Sequence, residues 1–183
     1  MHRGGVIELD LDCIVNAANE RCLGGGGVDG AIHDAAGPLL LRECATFPGC
    51  KTGHTRITKG YCLPARFVLH TVGPIGHKPK QLRSCYWNTL ELMKRHGLRS
   101  VGFCCISTGI FGFPVDAAAD VALSTTKEWL ETGHNAQAVD RIVFACFRQC
   151  EEDAFASRIA TYFPDVTGKA SLRVLRNRIV YDI

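Results

Sequence analysis

Four short and almost continuously apolar runs, separated by longer amphipathic segments, constrain what this chain of 183 residues can fold into. The runs are Cys13–Val15, Phe67–Val72, Val101–Ile106 and Ile142–Phe147. An apolar run of this length without strict alternation is typical of a strand that is buried on both faces of a parallel sheet. We therefore interpret each run as a β-strand inside the protein.

Helical patterns occupy the segments between these runs. Predicted helices cover Asp29–Ala36 and Leu82–Met93, and others begin at Pro38, at Pro114 and near Glu151. The Leu82–Met93 segment repeats its apolar side chains with the 3.6-residue period of a helix that buries one face. We expect the helix from Pro38 to bury three side chains, Leu40, Leu41 and Cys44. Strands that alternate with helices predict the α/β class, with a mostly parallel sheet covered by helices on both faces.

The length of the chain indicates one compact domain, because 183 residues are enough for a single core and few for two. Pro164 ends the last predicted helix, and scattered basic residues follow it. We predict one domain over residues 1–164. We also predict a basic tail or an extra edge segment over residues 165–183.

Composition excludes several classes of protein. A net charge of +3 without a concentrated basic face argues against nucleic-acid binding. No apolar run approaches the roughly 18 residues that a membrane span requires, and the first residues do not resemble a secretory signal. We expect a soluble intracellular monomer in the cytoplasm or nucleus, and a mitochondrial address remains open.

The ten cysteines contain no Cys-x-x-Cys pair, which argues against a structural zinc site. Without a secretion signal, free thiols in a reducing compartment explain them more simply than a disulfide framework. Cys104, Cys105 and Cys146 fall inside predicted strands. We expect these three to act as small apolar side chains of low reactivity.

Two glycine-rich segments, residues 16–30 and 107–114, follow predicted strands and precede predicted helices. Ligands of open α/β sheets collect at the carboxyl ends of the strands. Glycines let backbone N–H groups approach an anion closely, and a helix N-terminus attracts negative charge. The pattern is neither a P-loop nor a Gly-x-Gly-x-x-Gly turn. Glycine content alone therefore leaves both a phosphate-binding loop and an ordinary turn open.

Five ordered motifs together resemble the macrodomains, and within them the MacroD-type ADP-ribosyl hydrolases. They are Asn16–Asn19, Gly24–His33, Ala36–Pro38, His70–Pro74 and Ile106–Pro114, and the resemblance extends over roughly residues 4–163. It implies a three-layer α/β/α sandwich around a mixed, mostly parallel sheet. It also implies that ADP-ribose binds above the strand ends as ligand or product. We expect no cofactor, and we expect no metal because the sequence shows no cluster of metal ligands.

The resemblance assigns particular parts of ADP-ribose to particular residues. Asn19 would bind the distal ribose, and Gly26, Gly27 and Val28 would surround the diphosphate. Phe111 would lie against the distal ribose, in place of the tyrosine that relatives often carry, and Phe147 would pack on the adenine. The predicted binding set is Val6, Ala18, Asn19, Gly24, Gly25, Gly26, Gly27, Val28, Asp29, Ile106, Ser107, Thr108, Gly109, Ile110, Phe111, Gly112 and Phe147.

Asp29, Asn19 and His33 form the predicted catalytic set. A carboxylate in the first turn of a helix is often only a cap or a partner of the helix dipole. Because Asp29 directly follows the glycine loop, it is also placed to orient or deprotonate a water beside bound phosphates. We expect His33, one turn later, to support Asp29 rather than to transfer a proton. We expect His70 to be a buried histidine with hydrogen-bond partners.

The chain departs from the family pattern at Gly5, where many macrodomains carry an aspartate that accepts a hydrogen bond from the adenine amino group. Losing such a charge-assisted bond costs about 1.5–3 kcal/mol. The backbone N–H of Val6 remains available to the adenine ring. Adenine recognition is therefore expected to be weaker or more tolerant here.

The resemblance leaves three functions open. The first is metal-independent hydrolysis of mono-ADP-ribose from aspartate or glutamate side chains of proteins, with O-acetyl-ADP-ribose as a further substrate. The second is a module that binds ADP-ribosylated proteins without turnover. The third is a phosphatase that acts on ADP-ribose 1″-phosphate. The partners expected in each case are ADP-ribose derivatives rather than membranes or nucleic acids.

Overall fold

The computed structural model describes residues 5–164, 172–174 and 179–181. Its central feature is a five-stranded sheet with the strand order β2-β3-β1-β4-β5. The strands are β1 (Cys13–Ala18), β2 (Thr55–Lys59), β3 (Phe67–Val72), β4 (Ser100–Cys104) and β5 (Arg141–Ala145). Within this five-stranded sheet only β2 runs antiparallel to its neighbour, so the predicted mixed and mostly parallel sheet is confirmed.

Five helices connect and cover these strands. They are α1 (Val28–Ala36), α2 (Pro38–Cys44), α3 (Pro79–Arg95), α4 (Val115–Glu131) and α5 (Gln149–Tyr162). Short 3-10 helices occupy Val6–Glu8 and Asn135–Ala138. Within the described ranges, none of the helices combines the length and the apolar character that crossing a membrane requires.

The two faces of β3 show how the helices divide between the outer layers, because successive strand residues point to opposite faces. The His70 ring lies 3.8 Å from the Cys44 sulfur of α2. The next residue, Thr71, contacts Thr55, which in turn contacts Thr89 of α3. Helices α1 and α2 therefore cover one face, and α3 covers the other, so the predicted three-layer arrangement is confirmed.

A chain of aromatic rings fills the core beneath α3, α4 and α5. Phe103 of β4 contacts Tyr86 of α3 and Phe144 of β5, with ring centroids 5.1 and 5.8 Å apart. Phe144 also contacts Phe155 of α5 at 5.1 Å. All four side chains are buried. This packing fixes the ends of β4 and β5 relative to α5.

Two features of the fold differ from what the sequence predicted. Strand β2 was not predicted, because it lies at the edge of the sheet and buries only Thr58. The prediction that Leu41 lies in the core is wrong, since Leu41 is 45% exposed. Leu40 and Cys44 already fill the inward face of the short α2 helix, and Leu41 points to its outer side.

The predicted C-terminal tail, residues 165–183, lies largely outside the described residues. Its described parts are β6 (Leu172–Val174) and β7 (Ile179–Tyr181), which pair antiparallel to each other. Strand β7 lies near β5, which is the last strand of the main sheet.

The aromatic chain predicts a large stability difference between two phenylalanines near the end of β5. Phe144→Ala removes a buried ring between two others, so we expect the free energy of unfolding to fall by about 3–5 kcal/mol. Phe147→Ala removes a ring that is 64% exposed, and we expect a change within about 0.5 kcal/mol. Urea titration of both variants measures the two values, and equal losses would contradict this account of the core.

Candidate functional site

The carboxyl ends of β1 and β4 open into a cleft of about 680 Å³. This volume lies within the roughly 300–1,000 Å³ that is usual for small-molecule sites. Described residues that line the cleft come from the first 3-10 helix, the end of β1 with the glycine loop and α1, and the segment after β3. Others come from the end of β4 with the loop after it, and from the end of β5 with the start of α5.

The glycine loop reaches α1 through a backbone turn that favours glycine. Gly27 precedes the helix with φ of 64° and ψ of −136°, a conformation that side-chain-bearing residues rarely adopt. Gly30 lies so close to the loop that an added Cβ would stand 2.6 Å from the Gly25 carbonyl oxygen. The loop therefore packs directly on the first turn of α1, whose free N–H groups favour an anion.

Asp29 is held by the central strand. Asn16 of β1 donates from Nδ2 to Asp29 Oδ1 at 2.8 Å, and both residues are buried. The other carboxylate oxygen, Oδ2, lies 3.5 Å from Asn19 Nδ2 and next to the Gly25 backbone. One oxygen is thus anchored in the protein interior, while the Asp29 side chain still lines the cleft.

Burial raises the pKa of the Asp29 carboxyl, although the Asn16 hydrogen bond and the nearby His33 act in the opposite direction. A buried carboxylate is costly because the low-dielectric interior solvates it poorly. The ionised form of Asp29 is therefore less stable here than it would be in water.

His70 holds the Asn16 side chain in place through a hydrogen bond. The Asn16 Nδ2 group lies 3.1 Å from His70 Nδ1, and His70 Nε2 lies 2.9 Å from Thr58 Oγ1. Because Asn16 donates to Nδ1, the proton of the ring is on Nε2 and points to Thr58. Burial lowers the pKa of His70 to about 3, so the ring is neutral. The expectation of a buried histidine with hydrogen-bond partners is confirmed.

His33 lies close to Asp29 without a regular hydrogen bond to it. Its Nε2 is 3.5 Å from Asp29 Oδ1, and its side chain is 11% exposed. This nitrogen finds no hydrogen-bond partner among the described residues. The ring packs beside Gly24, where an added Cβ would lie 3.5 Å from the nearest ring atom. His33 is thus a neighbour of the carboxylate rather than a residue of the cleft wall.

The fold also brings together His33, Cys44 and His70, whose potential metal-ligating atoms lie within 4.8 Å of one another. Spacing along the sequence did not reveal this group, because its members come from α1, α2 and β3. Both His70 nitrogens already have partners. Burial also raises the pKa of the Cys44 thiol to about 11, so the sulfur stays protonated at neutral pH. The arrangement suits hydrogen-bonded support of Asp29 better than metal binding.

The opposite wall of the cleft is tied together by Glu151. This buried carboxylate lies 2.6 Å from the Thr108 hydroxyl, and its Oε2 accepts the backbone N–H groups of Phe147 and Arg148. Burial would raise the pKa of Glu151, but these hydrogen bonds outweigh it and hold the pKa below its ordinary value. Glu151 thus fixes the backbone of Phe147, whose exposed ring lines the cleft.

Arg148 alone is basic among the described residues that line the cleft. Its guanidinium already binds Glu151 and the Thr108 carbonyl, both at 2.8 Å. A phosphate group in the cleft would therefore meet backbone N–H groups rather than a free cationic side chain.

Most of the predicted binding residues line this cleft. They are Val6, Asn19, Gly25, Gly26, Gly27, Val28, Asp29, Ser107, Thr108, Gly109, Ile110, Phe111 and Phe147. Their individual contacts with a ligand remain predictions.

Five predicted site residues are set back from the cleft wall instead. Ala18 and Ile106 are fully buried in apolar clusters. Gly24 and His33 pack against each other and do not line the cleft. Gly112 closes a turn by donating its N–H to Gly109.

Several residues that the structure places at the site were not predicted from the sequence to belong to it. Asn16 belonged to a quoted motif, but its bond to Asp29 spans 13 positions between a strand and a helix. Gly5, Ile7, Glu8, Cys105, Arg148 and Glu151 also line the cleft. A polar residue inside an apolar strand, as at Asn16, was the available signal, because such a residue requires a buried partner.

The Macro domain family model matches residues 15–122. This chain belongs to the macrodomain family. It is 50% identical to the ADP-ribose glycohydrolase MACROD1 of Bos taurus over 170 residues, which covers 90% of this chain and 52% of that protein. It is 51% identical to the ADP-ribose glycohydrolase MACROD2 of Mus musculus, over 90% of this chain and 35% of that protein. The macrodomain thus spans about half or less of these two relatives.

A solved structure extends the comparison to the fold. The Trypanosoma brucei macrodomain in complex with ADP-ribose is 57% identical to this macrodomain, with a TM-score of 0.83. The match covers 86% of this chain and 67% of that one. The sequence resemblance to macrodomains and the predicted fold class are therefore confirmed.

Burial of the Asp29 carboxyl predicts a pH-dependent gain in stability for Asp29→Asn. A raised pKa in the folded state means that ionisation of Asp29 destabilises the fold. This penalty is absent below the pKa of the unfolded chain and complete above that of the folded protein. We expect Asp29→Asn to raise the melting temperature at pH 7.5, and we expect the gain to shrink as the pH falls through the carboxyl range.

Thermal unfolding at pH 7.5 and pH 4 measures this difference. Asp34→Asn is the matched control, because Asp34 lies on the same helix and is exposed. A lower melting temperature for Asp29→Asn at pH 7.5 would show that the buried carboxylate stabilises the fold.

Proposed function

We propose that this macrodomain hydrolyses the ester that joins ADP-ribose to aspartate and glutamate side chains of proteins. The observation that carries the proposal is the position of Asp29. Its carboxylate lies beside a glycine loop at a helix N-terminus, with Oδ1 held by Asn16 and Oδ2 next to Gly25. An acid or base is thereby placed next to a site suited to phosphates.

The relatives support this activity. The two mammalian proteins named above are ADP-ribose glycohydrolases, and the similar Trypanosoma brucei structure contains ADP-ribose. We propose the corresponding ligand for this chain, with the diphosphate at the glycine loop and the N-terminus of α1. In this orientation the adenine lies toward Phe147 and the distal ribose toward Asn19.

The proposed reaction needs a water molecule and a group that accepts its proton. The water oxygen forms a bond with the anomeric carbon of the distal ribose as the bond from that carbon to the side-chain carboxylate breaks. Asp29 orients the water and accepts a proton from it, and the products are ADP-ribose and a free carboxylate. A pKa above the ordinary aspartate value makes Asp29 a stronger base than an exposed aspartate.

The same site suits O-acetyl-ADP-ribose, because this molecule also carries a carboxylic ester on the distal ribose. We propose it as a second substrate. ADP-ribosylated proteins and free ADP-ribose are the proposed partners, and we propose a monomer.

We also propose an intracellular, reducing location for the protein. All ten cysteines lie in the described part of the chain and are free. Such a number of unpaired thiols is typical of a reducing compartment.

Asp29→Ala separates the hydrolase from a binding module. We expect the wild-type protein to release ADP-ribose from a protein that is mono-ADP-ribosylated on glutamate. We expect Asp29→Ala to lower the rate by about 100-fold or more, the range for loss of a general base. ADP-ribose binding should change little, because the loop N–H groups remain. Chromatography of released ADP-ribose and calorimetric titration with ADP-ribose measure the two properties.

Each of the other functions predicts a different result in the same assay. A wild-type protein that binds ADP-ribose tightly without releasing it would be a binding module. A phosphatase would release inorganic phosphate from ADP-ribose 1″-phosphate faster than it releases ADP-ribose from protein. Asp34→Ala is the matched control, and we expect it to retain wild-type turnover.

Both His70 nitrogens have hydrogen-bond partners, and the Cys44 thiol stays protonated, so we predict that turnover does not require a metal. We expect the rate of ADP-ribose release to be unchanged within about twofold after dialysis against EDTA, because Asp29 acts without a Lewis acid. Metal analysis of the dialysed protein provides the control for complete removal. A rate that falls with EDTA and returns with zinc would instead assign a metal to His33, Cys44 and His70.

A further inference from the structure

Two cysteines face each other where β4 and β5 end. The Sγ atoms of Cys105 and Cys146 are 3.9 Å apart. The parallel register pairs Cys104 with Ala145, so the next residues along the two strands, Cys105 and Cys146, stand opposite each other. Both are partly exposed. From the sequence we expected both to be strand residues of low reactivity, but both lie just beyond the strand ends.

This arrangement is compatible with a disulfide. Neighbouring strands lie roughly 4.8 Å apart, and disulfides join Cα atoms about 4.4–6.8 Å apart with an S–S length of about 2.05 Å. The two sulfurs therefore need to approach by side-chain rotation and a modest movement of the strand ends. Among the other cysteines, Cys22 and Cys50 are also neighbours, but both are buried.

We propose that Cys105 and Cys146 form a redox modification site, at which hydrogen peroxide generates a reversible disulfide that weakens ADP-ribose binding in the adjacent cleft. The effect on binding rests on the function proposed above, whereas formation of the disulfide does not.

The chemistry consumes two thiols and one peroxide. The Cys146 sulfur attacks a peroxide oxygen, the O–O bond breaks, and a sulfenic acid and one water form. The Cys105 sulfur then attacks the Cys146 sulfur, the S–O bond breaks, and the thiol proton leaves with the hydroxyl group as a second water. Two electrons pass from the sulfurs to the peroxide, and a dithiol reductant reverses the step.

The hydrogen bond between the thiols indicates the order of events. Cys105 donates its S–H to Cys146 Sγ. This contact, together with burial, raises the pKa of Cys105 well above its ordinary value. Cys105 is therefore held as the thiol, and Cys146 is the sulfur that reacts first.

The disulfide would change the shape of the cleft, because both cysteines lie in or next to the segments that form its walls. Cys105 itself lines the cleft, and Phe147, which follows Cys146, lines it as well. The Cys105 carbonyl lies 3.0 Å from the Thr108 hydroxyl, which also contacts Glu151. Shortening the sulfur distance from 3.9 Å to about 2.05 Å therefore displaces the loop after β4 and the segment that presents Phe147.

Peroxide treatment followed by peptide mapping tests for the bond. Trypsin places Cys105 in residues 100–127 and Cys146 in residues 142–148. We expect these peptides to be joined, with fragmentation assigning the link to Cys105 rather than Cys104, and to separate after dithiothreitol. Calorimetry with ADP-ribose should show at least threefold weaker binding by the oxidised protein and full recovery after reduction.

Two single variants provide the controls. Cys146→Ser should bind ADP-ribose with the same affinity before and after peroxide. Cys150→Ser, which changes an exposed thiol on α5, should respond as the wild type does.

Other results would overturn the proposal. Absence of the 105–146 link at every peroxide concentration, or a link between Cys22 and Cys50 in its place, excludes this site. A 105–146 link with unchanged affinity excludes the effect on binding. If the reduced protein fails to bind ADP-ribose, the proposed function and the effect on binding both fail, while peptide mapping still decides whether the disulfide forms.

Discussion

The hydrogen bond from Asn16 to Asp29 connects the middle of the sheet to the helix that begins at the glycine loop. Strand β1 is the central strand of the five, with β3 and β4 on either side. The carboxylate is therefore positioned by the most enclosed element of the fold rather than by its own loop. His70 and Thr58 extend this support to β3 and to the edge strand β2. Movement of any of these strands would therefore change the position of the Asp29 carboxylate.

This arrangement has an energetic cost. Asn16 Oδ1 and His33 Nε2 are buried, and neither has a hydrogen-bond partner among the residues that the structure describes. A buried polar atom without a partner costs about 1–3 kcal/mol. Burial also destabilises the ionised form of the Asp29 carboxyl. Such costs concentrate at functional sites, where a group is kept in an unfavourable environment because its reactivity requires it. The surrounding aromatic and aliphatic core compensates for them.

Sequence patterns predicted the parts of this protein that depend on local information. Strands β3, β4 and β5 are apolar because both faces are covered, and their patterns were clear. Strand β2 lies at the sheet edge and has one apolar residue, Ile57, so its pattern was too weak to predict it. Asn19, the glycine loop and Asp29 are close in the chain, so their proximity in the site followed from their order. Five other predicted site residues do not line the cleft, because proximity in sequence does not show whether a side chain faces the cleft or the protein interior.

Contacts between distant residues were beyond the reach of a single sequence. Asn16 and His70 are 54 positions apart, and Cys105 and Cys146 are 41 apart. The strand order β3-β1-β4-β5 makes these pairs neighbours. Several orders are compatible with the same alternation of strands and helices. The cluster of potential metal ligands formed by His33, Cys44 and His70 was not predicted, for the same reason.

Among the described residues, the cleft has few free cationic side chains, and this bears on how the site can change during evolution. Backbone N–H groups, unlike lysine or arginine side chains, are present whatever residue occupies a position. The proposed diphosphate site, if built from these groups, is constrained mainly where glycine is needed for backbone conformation or close packing, as at Gly27 and Gly30. The surrounding wall, including Gly5, Phe111 and Phe147, is then free to vary. Phosphate recognition and base selectivity can therefore change independently of each other.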